Sequence, residues 1–438
     1  MLLLVYSPVL TNRLRYTWEV LFNYVLRLDF SLTADADFYR QADAYKINYS
    51  KKRLLEAEVF IPCGNLLLES DIRTQSIQVF QHDGLPAFFR QEAADADFPF
   101  DVPALVFYLI SRYEEYLPFE PDAHGRFEAQ ECLAFQHHFL RQPLVNEWAL
   151  RLCAILQAKF PPFQFQISNF KFDSTYDLDL AWAYLHRGWQ RNLGAYARDL
   201  LKGDFKNMCR RRQVKTKQIA DPFFTFDYLK ELNAQYNLQP YFFILLGDHG
   251  AFDKNIDPKN PAFRELIQQL QQHYQLGIHP SYQSNEKAGL LKKEIQRLEA
   301  ITGNPVVRSR QHFLKLRFPQ TYQQLLDLNI TADYSLGYAS DVGFRASVSD
   351  SYPWYDLSKE EMTPLLLHPF QVMDVTLKEY LKLDPPEALE LVQSIMGKIR
   401  LVGGTFCTLW HNSSFSELDD WEAWRKVYEE IIRFAVRN

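Results

Sequence analysis

The sequence has few cysteines and no excess of positive charge. Its 438 residues include five cysteines, none of them in a CxxC pair. Such a sparse, odd-numbered set argues against a disulfide framework and favours reduced thiols in a cytoplasmic protein. The net charge is −6, so the chain has no overall field that would attract nucleic acid, and we expect no nucleic-acid partner.

Long apolar runs are also missing. The longest ones, such as those at 102–111 and 240–247, are too short to cross a bilayer. The opening MLLLVYSPVL has no basic residue before its short apolar run, so we expect a buried first strand there and no signal peptide. We find no internal repeat and no low-complexity segment. These absences predict a soluble cytoplasmic protein.

The chain has enough apolar sequence for two domains. Hydrophobic residues make up 47% of it and aromatic residues 15%, and its length exceeds that of a typical domain. The first third mixes short strands with helices predicted over 100–117 and 145–160, and PPFQFQ (161–166) then breaks the pattern with prolines. We therefore predict a smaller α/β domain over residues 1–165 and a second domain over 166–438.

The second domain alternates strands and helices. Predicted strands before Asp177 and at 240–247, 275–280, 304–313, 330–335, 363–372 and 403–412 are separated by predicted helices at 263–274, 287–302, 321–328, 385–400 and 419–436. Such alternation implies parallel strands joined by helical crossovers, and about seven units indicate a barrel-like (β/α) domain. In that architecture functional residues gather at the carboxyl ends of the strands.

Side chains with catalytic or metal-binding chemistry follow five of these strands. They are Asp177 and Asp179, His279, Arg310 and His312, Asp333, and His411. A zinc-class metal takes two or three nitrogen or carboxylate ligands and lowers the pKa of its bound water to about 7. A second carboxylate can then act as base, an imidazole as acid, and an arginine can keep the base ionised. The inventory suits a hydrolase for an acyl or related bond.

The first of these segments, TYDLD (175–179), resembles the Thr-Phe-Asp-Asp motif of the polysaccharide deacetylases of carbohydrate esterase family four. The resemblance implies a distorted (β/α)7 TIM-like barrel that binds one divalent metal, with zinc as the expected ion. It also implies that Asp177 is the base and Asp179 a metal ligand. Leu178 separates the two aspartates here, and residues i and i+2 of a strand share a face, so both carboxylates can reach one centre.

The second family motif is only half present. In HPSYQ (279–283), His279 matches the first metal-binding histidine, while Gln283 stands where the family has the second. We favour His312, at the end of the next strand, as the replacement ligand. Arg310 then keeps the family's role of pairing with the base.

The remaining motifs complete the resemblance. Asp333 resembles the aspartate that orients this arginine or the acid histidine, and His411 in LWH (409–411) resembles the general acid. Residues 100–127 resemble a segment of the N-terminal domain found in one bacterial branch. The implied function is a carbohydrate deacetylase, a hydrolase of carbon–nitrogen bonds other than peptide bonds. It would remove an N- or O-acetyl group from a bacterial glycan or glycan precursor.

Structural roles and other functions are also compatible with these patterns. Asp177 and Asp179 are also typical of the cap of a helix over 180–185, and His368 is a rival acid that is better explained as a core residue. The barrel could be catalytically degenerate and bind carbohydrate or assist glycan assembly, or it could be a metal-independent amidase or lyase. Residues 187–217, rich in Lys and Arg, are either a solvated insertion or a basic lid that contacts an anionic membrane or a phosphorylated glycan.

Overall fold

The first sheet has four parallel strands in the order β2-β1-β3-β4. The computed structural model describes residues 2–287, 289–416, 418 and 421–437. The opening apolar run forms β1, a strand with neighbours on both sides, as its sequence predicts. The strands are β1 (Leu2–Tyr6), β2 (Phe30–Thr33), β3 (Ala44–Ser50) and β4 (Val59–Pro62), and a separate hairpin follows with β5 (Phe80–His82) and β6 (Leu85–Ala87).

Five helices accompany this part of the chain. The side chain of Asp101 accepts a hydrogen bond from the Ala104 amide and caps α3, and the helix ends before Arg112, whose φ is 54°. Helix α3 is therefore shorter than the predicted 100–117, whereas α5 agrees closely with the predicted 145–160. The helices are α1 (Asn12–Glu19), α2 (Ala36–Gln41), α3 (Val102–Ile110), α4 (Leu133–Gln136) and α5 (Leu144–Lys159).

The second sheet has nine strands in the order β12-β13-β11-β10-β9-β8-β7-β15-β14. All neighbours are parallel except β12 and β13. Within the described residues no pairing joins β12 to β14, so the fold is mixed α/β and a closed barrel stays a prediction. The strands are β7 (Lys171–Leu178), β8 (Tyr241–Leu245), β9 (Gln275–His279), β10 (Arg308–Ser309), β11 (Ala332–Asp333), β12 (Tyr352–Asp356), β13 (Glu361–Leu367), β14 (Val372–Met373) and β15 (Thr405–His411).

The described residues of the second part include eight α-helices. The predicted segment 363–372 is split into β13 and β14, and the first two residues of the helix predicted over 419–436 lie outside the described residues. The helices are α6 (Trp189–Leu201), α7 (Phe205–Lys215), α8 (Phe226–Gln235), α9 (Pro261–Gln271), α10 (Leu290–Thr302), α11 (Gln320–Asp327), α12 (Pro385–Val402) and α13 (Trp424–Val436).

Strand β7 explains why two aspartates are separated by one residue. Tyr176 and Leu178 are fully buried in the main core, and Tyr176 contacts the hydroxyl of Tyr428 on α13 at 3.0 Å. Asp177 alternates with them and points to the other face. Residues 180–187 form no helix, so the interpretation of the aspartates as a helix cap is wrong.

The strand register brings the predicted site residues to one edge of the sheet. His411 on β15 pairs with Asp177 on β7, and Leu245 on β8 pairs with His279 on β9. Ser309, next to Arg310, pairs with Ile278 on β9 and with Asp333 on β11. Side chains at the carboxyl ends of these strands are therefore neighbours.

The two parts of the chain are in direct contact. Arg13 on α1 forms a 2.5 Å ion pair with Glu360, and the hydroxyl of Tyr16 donates to the carbonyl of Pro353 at 2.9 Å. The division into domains at residue 165 stays a prediction. Among the described residues, no helix is both long and apolar enough to cross a membrane.

Candidate metal centre and active site

Three predicted metal ligands converge at the edge of the sheet. Asp179, His279 and His312 each offer a ligand atom, and these atoms all lie within 4.8 Å of one another. Asp179 Oδ1 is 3.2 Å from His279 Nε2, and Asp179 Oδ2 is 3.6 Å from His312 Nε2. Both histidines are buried, while the side chain of Asp179 is 32% exposed and opens to a pocket.

Hydrogen bonds on the other side of each ring aim the histidines at Asp179. His279 Nδ1 lies 2.6 Å from the carbonyl oxygen of Arg310, and His312 Nδ1 lies 2.9 Å from Asp253 Oδ1. Each contact leaves Nε2 turned towards the carboxylate. In metal sites, such hydrogen bonds to the ring nitrogen that does not bind the metal fix the orientation of imidazole ligands.

Two polar atoms at this centre are buried and have no hydrogen-bond partner in the described part of the chain. They are Asp179 Oδ1 and His279 Nε2, which face each other at 3.2 Å without hydrogen-bond geometry. A buried polar atom without a partner costs free energy, and native proteins rarely tolerate it without a ligand or a functional reason. Two imidazole nitrogens and one carboxylate that can donate lone pairs fit a zinc-class cation, whose catalytic sites use three protein ligands.

Electrostatics favour the charged forms of Asp179 and His312. Burial alone would raise the pKa of Asp179, but the nearby rings of His312 and His279 hold it well below its usual value. Burial would lower the pKa of His312, but the carboxylates of Asp179 and Asp253 raise it to about 9. A bound cation would replace the imidazolium charge, because metal ligation requires neutral histidine.

Asp177 sits beside this centre and is held by Arg310. Its Oδ1 accepts from Arg310 Nη1 at 3.1 Å, and its Oδ2 is 3.6 Å from His279 Nε2. Arg310 is fully buried and also donates to the hydroxyl of Thr175 at 2.6 Å and to the carbonyl of Tyr334 at 2.9 Å. The guanidinium therefore fixes the position of Asp177.

His411 approaches Asp179 from the neighbouring strand, β15. Its Nε2 is 3.8 Å from Asp179 Oδ2, and its Nδ1 is 2.9 Å from Oδ1 of the fully buried Asp374. Burial would lower the pKa of His411, but Asp374 and the site carboxylates raise it to about 10. An imidazole that is protonated at neutral pH can act as a general acid. A cation bound at the centre would oppose the rise in the pKa of His411.

Asp253 and Asp374 are carboxylates that contact His312 and His411 and that the sequence patterns did not single out. Asp374 directly follows β14, so the strand-end pattern would have found it had β14 been separated from β13. Asp253 lies eight residues after β8, and only the return of its loop brings it to His312. Asp248, which is nearer the strand end, forms ion pairs with Lys293 and Arg297 instead.

Other candidates lie apart from the converging ligands. Asp333 accepts hydrogen bonds from Ser309 Oγ at 2.6 Å and from Ser335 Oγ at 2.9 Å, so it supports the strand ends next to Arg310. The carboxylate that contacts His411 is Asp374. His368 stacks on Tyr334 with ring centroids 4.2 Å apart, which favours the core interpretation.

The position of Gln283 agrees with the loss of a ligand there. Its amide oxygen accepts from Lys287 Nζ at 2.9 Å, on a short turn after His279.

Phe313 and Leu314, which follow His312, adopt φ values of 60° and 53°. Non-glycine residues with positive φ are uncommon and concentrate at functional sites.

A pocket with a volume of about 170 Å³ opens over the centre. Part of its wall is apolar, including Phe313 and Met373. Arg126, from the first part of the chain, also lines it and is held by Asp122 at 2.7 Å and by the carbonyl of Phe313 at 2.8 Å. The N-terminal region therefore contributes a charged side chain to the rim of the site.

Comparison with known proteins matches residues 3–161 to a family of unknown function, DUF7033. No curated protein matches the chain. Similar solved structures include one assigned as a polysaccharide deacetylase from Mycobacterium smegmatis, with 15% identity and a TM-score of 0.39. The match covers 62% of this chain and 87% of that one. The similar structures are of the polysaccharide deacetylase superfamily.

Two further structures show the range of this likeness. A polysaccharide deacetylase from Bacillus cereus has 10% identity and a TM-score of 0.29, with 60% of this chain and 85% of that chain covered. A CE4 family pseudoenzyme from Bacillus anthracis has 11% identity and a TM-score of 0.30, with 61% and 62% covered.

Proposed function

We propose that the chain is a metal-dependent hydrolase that removes an N- or O-acetyl group from a bacterial glycan or glycan precursor. One observation carries the proposal. Asp179, His279 and His312 converge with unsatisfied ligand atoms, and a carboxylate and an imidazole flank them within 4 Å. A purely structural role for these residues would leave unexplained why buried ligand atoms form no hydrogen bond.

Asp179, His279 and His312 would hold the cation, and their donor set suits zinc. A bound cation supplies a Lewis acid that polarises the acyl carbonyl and lowers the pKa of water to about 7. The histidines present Nε2 because Arg310 and Asp253 occupy their Nδ1 atoms. Gln283 takes no part in this scheme.

Asp177 would be the base and His411 the acid. The buried guanidinium of Arg310 keeps Asp177 oriented, so its free oxygen can take a proton from the attacking water. His411 faces Asp177 across the neighbouring strand and carries its proton on Nε2 while Nδ1 bonds Asp374. The imidazolium can then protonate the departing amine or alcohol oxygen.

The substrate class follows from the proposed chemistry and from the pocket. An open pocket with an apolar wall and a charged rim can hold the acetyl group inside while a sugar remains outside. All five cysteines are free, and four of them are buried, which agrees with a cytoplasmic enzyme acting on a precursor. The proposed fold of the second part is a (β/α)7 barrel, and the chain would belong to the polysaccharide deacetylase superfamily.

Release of acetate from N-acetylated amino sugars tests the proposal. We expect zinc-loaded protein to release acetate and Asp177→Asn to lower kcat by about 10² to 10⁴-fold, the usual contribution of general acid–base catalysis. Asp248→Asn, which changes a carboxylate after the neighbouring strand, is the matched control and should retain activity.

The alternatives give different results. Sugar binding without turnover in zinc-loaded protein would favour a degenerate, carbohydrate-binding barrel. Full turnover after chelation of all metal would instead favour a metal-independent amidase or lyase.

A further inference from the structure

Helix α6 turns its apolar side chains outward. Trp189, Leu193 and Leu200 are 74%, 62% and 56% exposed, whereas its buried residues are Asn192 and Asp199. Positions 189, 193 and 200 fall on one stripe at 3.6 residues per turn. A helix that only packs on a protein core would show the opposite arrangement.

The exposed apolar surface extends beyond this stripe. Leu201, at the end of α6, is 89% exposed, and Phe205, at the start of α7, is 67% exposed. Single exposed apolar residues are common, but five large ones concentrated within residues 189–205 indicate an interaction site. The five side chains together form what we term the outer apolar face (Trp189, Leu193, Leu200, Leu201 and Phe205).

The hairpin of α6 and α7 that carries this face is internally fixed. Arg211 on α7 forms a buried ion pair with Asp199 on α6 at 2.7 Å. Its guanidinium also lies 5.0 Å from the ring centroid of Tyr184 and 5.3 Å from that of Tyr196. The polar interior thus joins the two helices while the apolar side chains stay outside.

The same hairpin is strongly basic. Residues 187–217 contain ten Lys or Arg and two Asp, in a chain whose net charge is −6. On α6, Arg198 lies about opposite the apolar stripe, and Lys202 follows at its end; both are exposed. Trp and Leu on one side with Arg and Lys on the other are typical of a helix that lies in the interface of an anionic membrane.

We propose that the α6–α7 hairpin binds the surface of a lipid bilayer that contains anionic phospholipids. The outer apolar face enters the boundary between headgroups and acyl chains, and the basic side chains stay at headgroup level. The attachment is peripheral. It does not depend on the proposed hydrolase activity, because none of the proposed catalytic residues takes part.

Flotation of the full chain with vesicles tests this proposal. We expect binding to vesicles of equal parts phosphatidylcholine and phosphatidylglycerol, weaker binding at high salt, and little binding to phosphatidylcholine alone. The variant Leu193→Asp/Leu200→Asp should lower the partition coefficient at least about tenfold, because two apolar side chains are lost from the interface.

Matched variants separate a specific face from general stickiness. Leu401→Asp changes a leucine that is 74% exposed on α12 and should leave vesicle binding unchanged. Arg198→Glu/Lys202→Glu should reduce binding only to the anionic vesicles, and Lys359→Glu should not. Circular dichroism would confirm that each variant keeps its helices.

Two results would overturn the proposal. One is equal flotation of the wild type and Leu193→Asp/Leu200→Asp. The other is absence of wild-type binding to the anionic vesicles. If sedimentation then shows a wild-type dimer that Leu193→Asp/Leu200→Asp converts to monomer, the outer apolar face is assigned to a second copy of the chain.

Discussion

Two of the buried groups of charges among the described residues differ in how completely they are paired. In the first, Glu115 accepts from Arg112 Nε at 2.7 Å and from Arg345 at 2.9 and 2.5 Å. At the candidate metal centre, Asp179 Oδ1 and His279 Nε2 are buried 3.2 Å apart and form no hydrogen bond. Glu114 also accepts from Arg112 at 2.8 Å, so two carboxylates balance the two guanidiniums of the Arg112–Glu115–Arg345 cluster, whereas the candidate metal centre leaves these two atoms without a hydrogen bond.

The difference separates structure from function. The cluster ties the segment after α3 to the connection between β11 and β12, so it holds the two parts of the chain together. Burial alone would raise the pKa of Glu115, but the guanidiniums of Arg345 and Arg112 lower it. A group that is buried and fully paired needs nothing more, whereas the proposed metal would supply the partner that the candidate centre lacks.

The largest effect on stability is expected from breaking the paired cluster. Glu115→Ala leaves two buried guanidiniums without their shared carboxylate, so the free energy of unfolding should fall by about 3–5 kcal/mol. Urea denaturation at neutral pH measures this loss. An unchanged stability would show that the cluster is not what joins the two parts of the chain.

The pH dependence of the same variant sharpens the test. Because the pKa of Glu115 is lowered in the folded state, its contribution is present above the usual glutamate pKa and is lost as the pH falls through the lowered value. The stability gap between wild type and Glu115→Ala should therefore narrow in acid.

A smaller effect, on metal affinity, is expected from changing Asp253, which orients the proposed ligand His312. Asp253→Ala removes the carboxylate on His312 Nδ1 but no ligand, so metal affinity should fall by about 10 to 100-fold. Competition with a chromogenic zinc chelator measures it. Wild-type affinity in this variant would mean that His312 is not oriented by Asp253.

The smallest effect is expected at an exposed pair, which serves as the control for both variants. Lys359 and Glu361 lie 4.0 Å apart with more than half of each side chain exposed. Glu361→Gln should change the free energy of unfolding by at most about 0.5 kcal/mol and leave metal affinity unchanged. A large change would show that burial does not distinguish these groups.

Much of the second part of the chain could be predicted from local patterns. The periodicity of short apolar runs located β7, β8, β9 and β15 to within a few residues, and the helical pattern over 385–400 located α12. The residues that follow those strands therefore include Asp179 and His279, which the structure brings together. A period-two pattern also separated Asp177 from the core residues beside it.

The rest depends on contacts between distant segments. Strands β10 and β11 have only two residues each, too few for a periodicity, and β12 runs antiparallel to a sheet expected to be parallel. Asp253 and Arg126 reach the site through loops that fold back over it, and no local pattern reports such a path. Closure of the sheet also depends on long-range geometry.

The most direct test of the central claim is a count of bound metal in four variants. Isothermal titration with zinc should give one tight site per chain in the wild type and in Gln283→Ala. It should give none in Asp179→Ala, His279→Ala or His312→Ala, each of which should keep the wild-type circular dichroism spectrum. Tight zinc binding that survives His312→Ala but is lost in Gln283→Ala would contradict the account.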